Sequence, residues 1–576
     1  MVVRCVKCHA IIGKGRTHKC SSPEARDNLH KIINQKSLKS KEKIRSAILK
    51  GIFEDKGGNK RGGTVLLATG GKKLPVTLSV KVNRPRFSQE NLRRLQVLKG
   101  DSDRGIKKVA QAVRHVFGRN SVEPGFAASL TERKELLEHL FEVRKFDMKK
   151  KMQKPKVCKC GSKCNCIMDK EADKDVDIEG YVEFQVPGVV TSDFDLLVKE
   201  IIDLRGYNPG NVQVLCGLDN GREFNKIGFL VKEKEGEEFK SGRTMRNEEM
   251  FWMNFRDSGV KKLLLAAVVP CCPENYTNQK NLLTAIGMEG LEWGTTVDLK
   301  MAMCLVGKSG GQGTYGCPFC DMPKPYTQDD YELLTLGNLT DLHEAFKAAG
   351  SRKKDQALFQ NVVHPHLLAG QPGTLVLNIL YPPELHLIIG VVDKHLEGLE
   401  KVFGVVWMND YLKKVNIVRK SYQGGHALEG NQSSDFLKKL PELEQAIMRE
   451  SDDKKVEGIP LLESLRRFRK VQEVCFGQEL KEGYEEAIQD FSFFYRSIGN
   501  MSITPKIHIV EKHIVDFFCV AGEKEHGLGW FSEQGFEAMH HDMMMEWERV
   551  RICDPDHPDF AKRLYNFVVA YNSRHV

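Results

Sequence analysis

Two pairs of soft metal ligands lie far apart in the chain: Cys317 and Cys320 in Cys-Pro-Phe-Cys, and His508 and His513 in Ile-His-Ile-Val-Glu-Lys-His. A Cys-x2-Cys pair supplies half a tetrahedron, and two histidines on one helical face complete the Cys2His2 set of structural zinc. The alternative is a pair of ordinary surface histidines, because spacing alone does not couple residues so distant. The segment leading to the cysteines, Ala302-Met-Cys-Leu-Val-Gly307-Lys308-Ser309, misses a phosphate-binding P-loop by one residue. Ala302 stands where the first glycine belongs, and Gly310, Gly311 and Gly313 follow the lysine where a P-loop starts its helix. Nucleotide binding is not expected there, and the glycines read as a connector.

Hard oxygen ligands flank the same segments. Asp219 ends a strand-like run before Asn-Gly, Asp298 lies nineteen residues before Cys317, and Glu533 and Glu537 follow the histidines in Ser-Glu-Gln-Gly-Phe-Glu. Two aspartates from a sheet and one glutamate from a later helix can hold two divalent cations, as in a ribonuclease-H-like nuclease. Carboxylates suit Mg²⁺, and ions about 4 Å apart would stabilise both the attacking and the leaving oxygen of an in-line phosphoryl displacement. Taken singly, any of the 77 acidic residues is more simply a surface group. A Cys2His2 zinc would draw Asp298 and the chain beyond His513 together.

The elements that must position these groups are readable in outline. Asn-Val-Gln-Val-Leu-Cys-Gly-Leu and Phe-Asn-Lys-Ile-Gly-Phe-Leu-Val form a hairpin-like pair around Asp219-Asn-Gly, and Lys-Lys-Leu-Leu-Leu-Ala-Ala-Val-Val-Pro reads as a buried strand. Residues 293–307 run from strand into helix. Residues 323–500 carry mainly helical periodicity, and no internal repeat is visible.

At 576 residues the chain exceeds one hydrophobic core, so about two to four domains are expected. The first residues lack the apolar core of a secretory signal, and runs such as Leu263 to Pro270 are too short to span a bilayer. A soluble intracellular protein without a membrane partner is expected, and in that setting its sixteen cysteines point to metal rather than disulfides. Cys5, Cys8, His18 and Cys20 have the spacing of a zinc knuckle, with His9 as a rival third ligand. Cys158, Cys160, Cys164 and Cys166 could hold another zinc, although their loop is very tight.

Residues 1–150 carry 35 Lys and Arg against 14 Asp and Glu, a balance of +21. The remainder holds 52 against 63, or −11. A basic first quarter ahead of an acidic body points to a polyanion, most simply nucleic acid. Two strands surround Gly-Gly-Lys-Lys near residue 71, and two helices surround Gly-Asp-Ser-Asp near residue 101. The second helix would bury Ile106, Val109, Val113 and Val116 and turn Lys107, Lys108 and Arg114 outward. This suits a helix-turn-helix reading a major groove, and equally an ordinary two-helix unit.

The ordered set Asp219, Asp298, Cys-Pro-Phe-Cys, the His508–His513 pair and Ser-Glu-Gln-Gly-Phe-Glu resembles the core of DDE transposases. The likeness is to the Transib type and the recombination-activating protein 1 that descends from it, with Chapaev-like transposases as related candidates. There, the first aspartate precedes a Gly-rich turn, as in Gly-Leu-Asp219-Asn-Gly. The second lies in Asp-x-Lys at the same distance before Cys-x2-Cys. A helix opening on Ser-Glu then bears the catalytic glutamate, most similar here to Glu537. Glu533 stays a rival, because Ala-Met-His-His-Asp follows Glu537 where the family has Asn and basic residues.

The resemblance implies an α/β fold. A ribonuclease-H-like core is interrupted by a large, mainly helical zinc-bearing insertion and preceded by a zinc knuckle and a basic α+β DNA-binding region. The expected boundaries are a knuckle at 1–24, a basic region at 25–150, a Cys-rich linker at 151–176, the first core part at 177–316, the insertion at 317–515, and the glutamate helix with C-terminal helices at 516–576. It further implies Asp219, Asp298 and Glu537 holding two Mg²⁺ (or Mn²⁺), structural Zn²⁺, and nicking of double-stranded DNA beside terminal inverted repeats. The freed 3′-hydroxyl would then attack a second phosphodiester, across the duplex as a hairpin or in target DNA. A homodimer pairing two transposon ends, a second transposon-encoded subunit and a nuclear location complete the expectation. A domesticated, catalytically silent DNA- or chromatin-binding zinc protein is the alternative.

Four further residues invite a role in the site. Glu384 and His386 could reach it but read more simply as a buried helix start, His426 reads as loop, and Trp530 could stack on a flipped base or pack in the core.

Overall fold

The structure is a computed structural model. It describes residues 126–151, 181–221, 224–234 and 263–576 (apart from 329, 423–424 and 500), together with a helical segment at 106–111 and short strands nearer the N-terminus. Cys5, Cys8, His9, His18, Cys20, Arg114 and the Cys158–Cys166 cluster lie outside the described residues.

The centre is a mixed seven-stranded sheet. Its strands are β1 (Phe141–Lys151), β2 (Tyr181–Thr191), β3 (Val212–Gly221), β4 (Phe224–Glu233), β5 (Leu264–Pro270), β6 (Gly294–Thr296) and β7 (Leu380–Tyr381). Their spatial order is β7-β6-β3-β4-β5-β2-β1. From β3 to β1 every pairing is antiparallel, while β6 joins β3 and β7 joins β6 in parallel. β5 is buried along its whole length, which its unbroken apolar run requires of a central strand. It bulges between Leu265 and Ala267, and the buried Asn572 side chain accepts from Leu265 N and donates to Leu265 O at 2.8 and 2.9 Å.

Helices cover the sheet. We label α1 (Phe126–Glu138), α2 (Tyr276–Ala285), α3 (Leu299–Leu305), α4 (Glu384–Phe403), α5 (Asp452–Cys475), α6 (Tyr484–Ser497), α7 (Ile514–Ala521), α8 (Gln534–Trp547) and α9 (Phe560–His575). α9 buries Phe560, Leu564, Phe567 and Val568 and packs on α1, β1, β2 and β5. α8 crosses the other strands. A Cβ added at Gly217 of β3 or Gly228 of β4 would come within 2.5–2.7 Å of Phe536 or Met539, so these glycines let the helix lie against the sheet. α4, α5 and α6 pack on one another in a helical region between β7 and α7.

The hairpin, the buried strand and the strand-to-helix step at 293–307 form as expected, as does the helical character of 323–500, but Asp219-Asn-Gly continues β3 and does not break the pair. Gly62–Thr69 and Lys72–Lys81 pair antiparallel as expected, with Lys72 and Lys73 inside the second strand and not in the turn. Two placements differ from the expected boundaries. Residues 141–151, the end of the expected basic region and the first residue of the expected linker, form the edge strand β1 and pair with β2 over eleven positions. β7 returns to the sheet from within the span read as insertion. Among the described residues, no helix is long and apolar enough to cross a membrane.

Candidate functional site

The ends of β3, β5 and β6 and the start of α8 enclose a cleft lined by Asp219, Asn220, Glu274, Asp298, Glu533 and Glu537, among others. Each acidic group has a local reason to be there. Asp219 shares a sheet face with Gly217 and Gly221, two residues to either side, and so faces α8. Asp298 caps α3, accepting from Met301 N at 2.6 Å through Oδ1; aspartate is favoured at that position because helix N-termini leave backbone donors unpaired. Glu533 is the cap residue of α8 and Glu537 lies one turn further, so both point to the same side. The sequence thus left two glutamates as rivals, and the fold brings both to the cleft.

Glu274 was not singled out from the sequence. It follows β5, whose last residue, Pro270, pairs with Phe224, itself paired with Gly221 beside Asp219. Only the antiparallel sheet order reveals this neighbourhood. Glu274 Oε2 accepts from Lys300 at 2.5 Å, while its Oε1 is buried with no partner among the described residues. Burial raises its pKa, and the charges of Asp298 and Asp219 add to the rise against Lys300.

The other carboxylates are also electrostatically crowded. Burial, then the charge of Asp219, raises the Glu537 pKa against the pull of His386 and Lys226. Glu533 is 3% exposed, and its Oε1 accepts from the backbone N and Nδ1 of His386 at 3.0 and 3.1 Å. Its Oε2 is buried without a partner among the described residues. Burial opposes protonation of His386, but the bond and charge of Glu533 outweigh it and raise the pKa. Glu384 is buried in the first turn of α4, and desolvation together with the charge of Glu533 pushes its pKa up to about 8, against a bond from Ser532. Asp219 is paired with Lys226, which lies directly opposite it in the β3–β4 register and is 0% exposed. The same Nζ lies 2.8 Å from His540 Nδ1 on α8.

Cys317, Cys320, His508 and His513 converge as the sequence suggested. All four are buried, and their ligand atoms lie within 4.8 Å of one another. Cys320 Sγ lies 3.2 Å from His508 Nε2, which lies 3.1 Å from His513 Nε2. The cluster could hold a zinc ion. Residues five apart on an α-helix diverge by about 140°; here Ile509–His513 winds as a π-helix, which brings the two histidines to one side. The surroundings orient the ligands, as the outer shell of a metal site does. His513 Nδ1 meets Asp516 Oδ2 at 2.8 Å, Tyr331 donates to the same oxygen at 2.7 Å, and Tyr326 stacks on His508 with centroids 4.4 Å apart. Lys308, the lysine of the P-loop-like stretch, is buried and donates to the carbonyls of Cys317 and Cys320 at 2.6 and 3.4 Å. It braces the cysteine loop.

Other expected contributors lie elsewhere. Lys107 and Lys108 are half-buried on the 106–111 helix, whose Ile106 and Ala110 are buried. Trp530 is 7% exposed, with its Nε1 donating to Gln213 Oε1 at 3.0 Å and its ring 4.2 Å from that of His526. It is a packed side chain and does not present a free face to a base. His426 sits in the short strand Gly425–Ala427. Among the described residues, the Cys2His2 set is the one group whose ligand atoms close to within 4.8 Å, so the carboxylates are spread more widely. No protein-family model matches this chain, and no curated protein sequence matches it either.

Proposed function

We propose that the carboxylate cleft binds divalent cations, Mg²⁺ or Mn²⁺, and carries out phosphoryl transfer on DNA in the manner of a DDE transposase or recombinase. The observation that carries this reading is the meeting of Asp219, Asp298, Glu533 and Glu537, from three separate regions of the chain, at one cleft. The donor set fits a hard cation: all are carboxylates, and among the described residues the buried oxygens Glu533 Oε2 and Glu274 Oε1 lack the partner that burial demands. The strand arrangement supports a ribonuclease-H-like core, with an antiparallel meander β3-β4-β5 extended by the parallel strands β6 and β7. Cations bound there would activate the attacking oxygen and neutralise charge on the phosphate.

On this reading, Asp298 and Glu537 serve as principal ligands, Glu533 is oriented by His386, and the zinc cluster braces the chain between β7 and α8. The protein would act in the nucleus as a homodimer on inverted-repeat DNA, with its basic N-terminal part holding phosphates. Full-length protein should nick inverted-repeat DNA in Mg²⁺ or Mn²⁺, and Asp298→Ala should abolish nicking while keeping DNA affinity. Nicking that survives Asp298→Ala would overturn the assignment. A second reading, a silent DNA-binding zinc protein, draws on the buried lysine that already engages Asp219; it predicts binding without cleavage in either metal.

A further inference from the structure

The pairing of Asp219 with Lys226 bears on how many ions the cleft takes up. The two residues are opposite one another in the β3–β4 register, with side chains on the face covered by α8. The Lys226 ammonium is wholly shielded from solvent and donates to Asp219 Oδ2. A second donor points at His540 Nδ1, 2.8 Å away, and because an ammonium has no acceptor this ring nitrogen must accept. The imidazole itself is closely confined: a Cβ on Gly221 would fall 2.7–2.9 Å from its ring atoms. Strand register, helix packing and an imidazole acceptor therefore hold the cationic head against Asp219.

Charge matching leads to the same place. Of the five cleft carboxylates, Asp219 is met by Lys226, Glu274 by Lys300 and Glu533 by His386. Asp298 and Glu537 make no ion pair among the described residues, and their two negative charges equal the charge of one divalent ion. A second divalent ion beside Asp219 would have to share its carboxylate with an ammonium and face like-charge repulsion.

We propose that the ammonium of Lys226 fills one of the two cation positions beside Asp219, so that the cleft takes up a single divalent ion, held through Asp298 and Glu537. Lys226 is thus a built-in cation. The inference rests on the cation-binding reading of the cleft.

The test is a Mn²⁺ titration of full-length, zinc-loaded protein, followed by the paramagnetic resonance signal of free Mn²⁺. Equivalents bound by the cleft are those lost in Asp298→Asn. One equivalent is expected in the wild type, two in Lys226→Met and one in Lys226→Arg. Two equivalents in the wild type, or one in a folded Lys226→Met, overturn the inference and leave the cation-binding reading standing. No equivalent lost in Asp298→Asn overturns both. If Lys226→Met does not fold, the wild-type count alone still decides.

Discussion

The seating of α8 on the sheet gives a quantitative test of how the cleft is assembled. In Gly217→Ala the new Cβ would stand 2.5 Å from Phe536 Cδ1 and Cγ and 2.7 Å from Cδ2. Ordinary contact begins near 3.4 Å, so ring and helix must separate by about 1 Å, against a β-strand that is fixed on both sides. Overpacking of this kind costs about 1–3 kcal/mol of stability. Glu537 follows Phe536 directly, and a misplacement of about 1 Å at a reacting centre costs about a hundredfold in rate. Gly311→Ala is the control, since its Cβ would meet nothing within 4 Å; it should stay within about 0.5 kcal/mol of wild type. Urea unfolding and metal-dependent nicking, measured on both variants, decide the matter. Wild-type stability and nicking in Gly217→Ala would show that α8 does not rest on β3 as described, and the placement of Glu537 would fall with it.

Two further outcomes are expected. The wild type should hold one equivalent of zinc by metal analysis, and Cys320→Ser should lose it together with more than about 4 kcal/mol of stability, because a buried Cys2His2 set without a metal leaves thiols and imidazoles uncompensated. Unchanged metal content and melting temperature in that variant would remove the site. His395 is fully buried, bonded to Val391 O and Ser464 Oγ at 2.8 Å each, and desolvation depresses its pKa to about 4. Between about pH 6.5 and pH 4 the unfolded chain takes up a proton that the folded chain refuses, so stability falls by about 3 kcal/mol as pH is lowered through that window. His395→Gln should lack this component, and equal pH slopes for the two proteins in denaturant titrations would contradict it.

Much of the core could be read from the chain because its strands are short apolar runs closed by turn residues. The hairpin of β3 and β4 is the clearest case, although Asp219-Asn-Gly ends β3 and does not form the turn, and the step from β6 into α3 places Asp298 where a cap residue belongs. β1 is not legible in the chain because Phe-Glu-Val-Arg-Lys-Phe-Asp-Met buries only some alternate positions and carries the charge of the basic region before it. β7, two residues long, has no periodicity to detect. Glu274 and Lys226 belong to the site through sheet register, a long-range property that local patterning does not encode. The Cys2His2 set was legible as a guess about ligand chemistry, whereas the winding that aligns its histidines was not.

That winding sets two phases at once. From His513 onward the helix is ordinary, and Phe517, four residues later, lies 5.0 Å from Tyr381 of β7 and 5.3 Å from Phe531, two residues before Glu533. Excising one residue between the histidines would leave them four apart, a spacing from which imidazoles still chelate. Phe517 would stay four residues beyond the second histidine, so its angle to the metal ligands would be kept. The metal cluster and the packing beside the cleft are therefore coupled through one helix, and the wide turn absorbs one residue without uncoupling them.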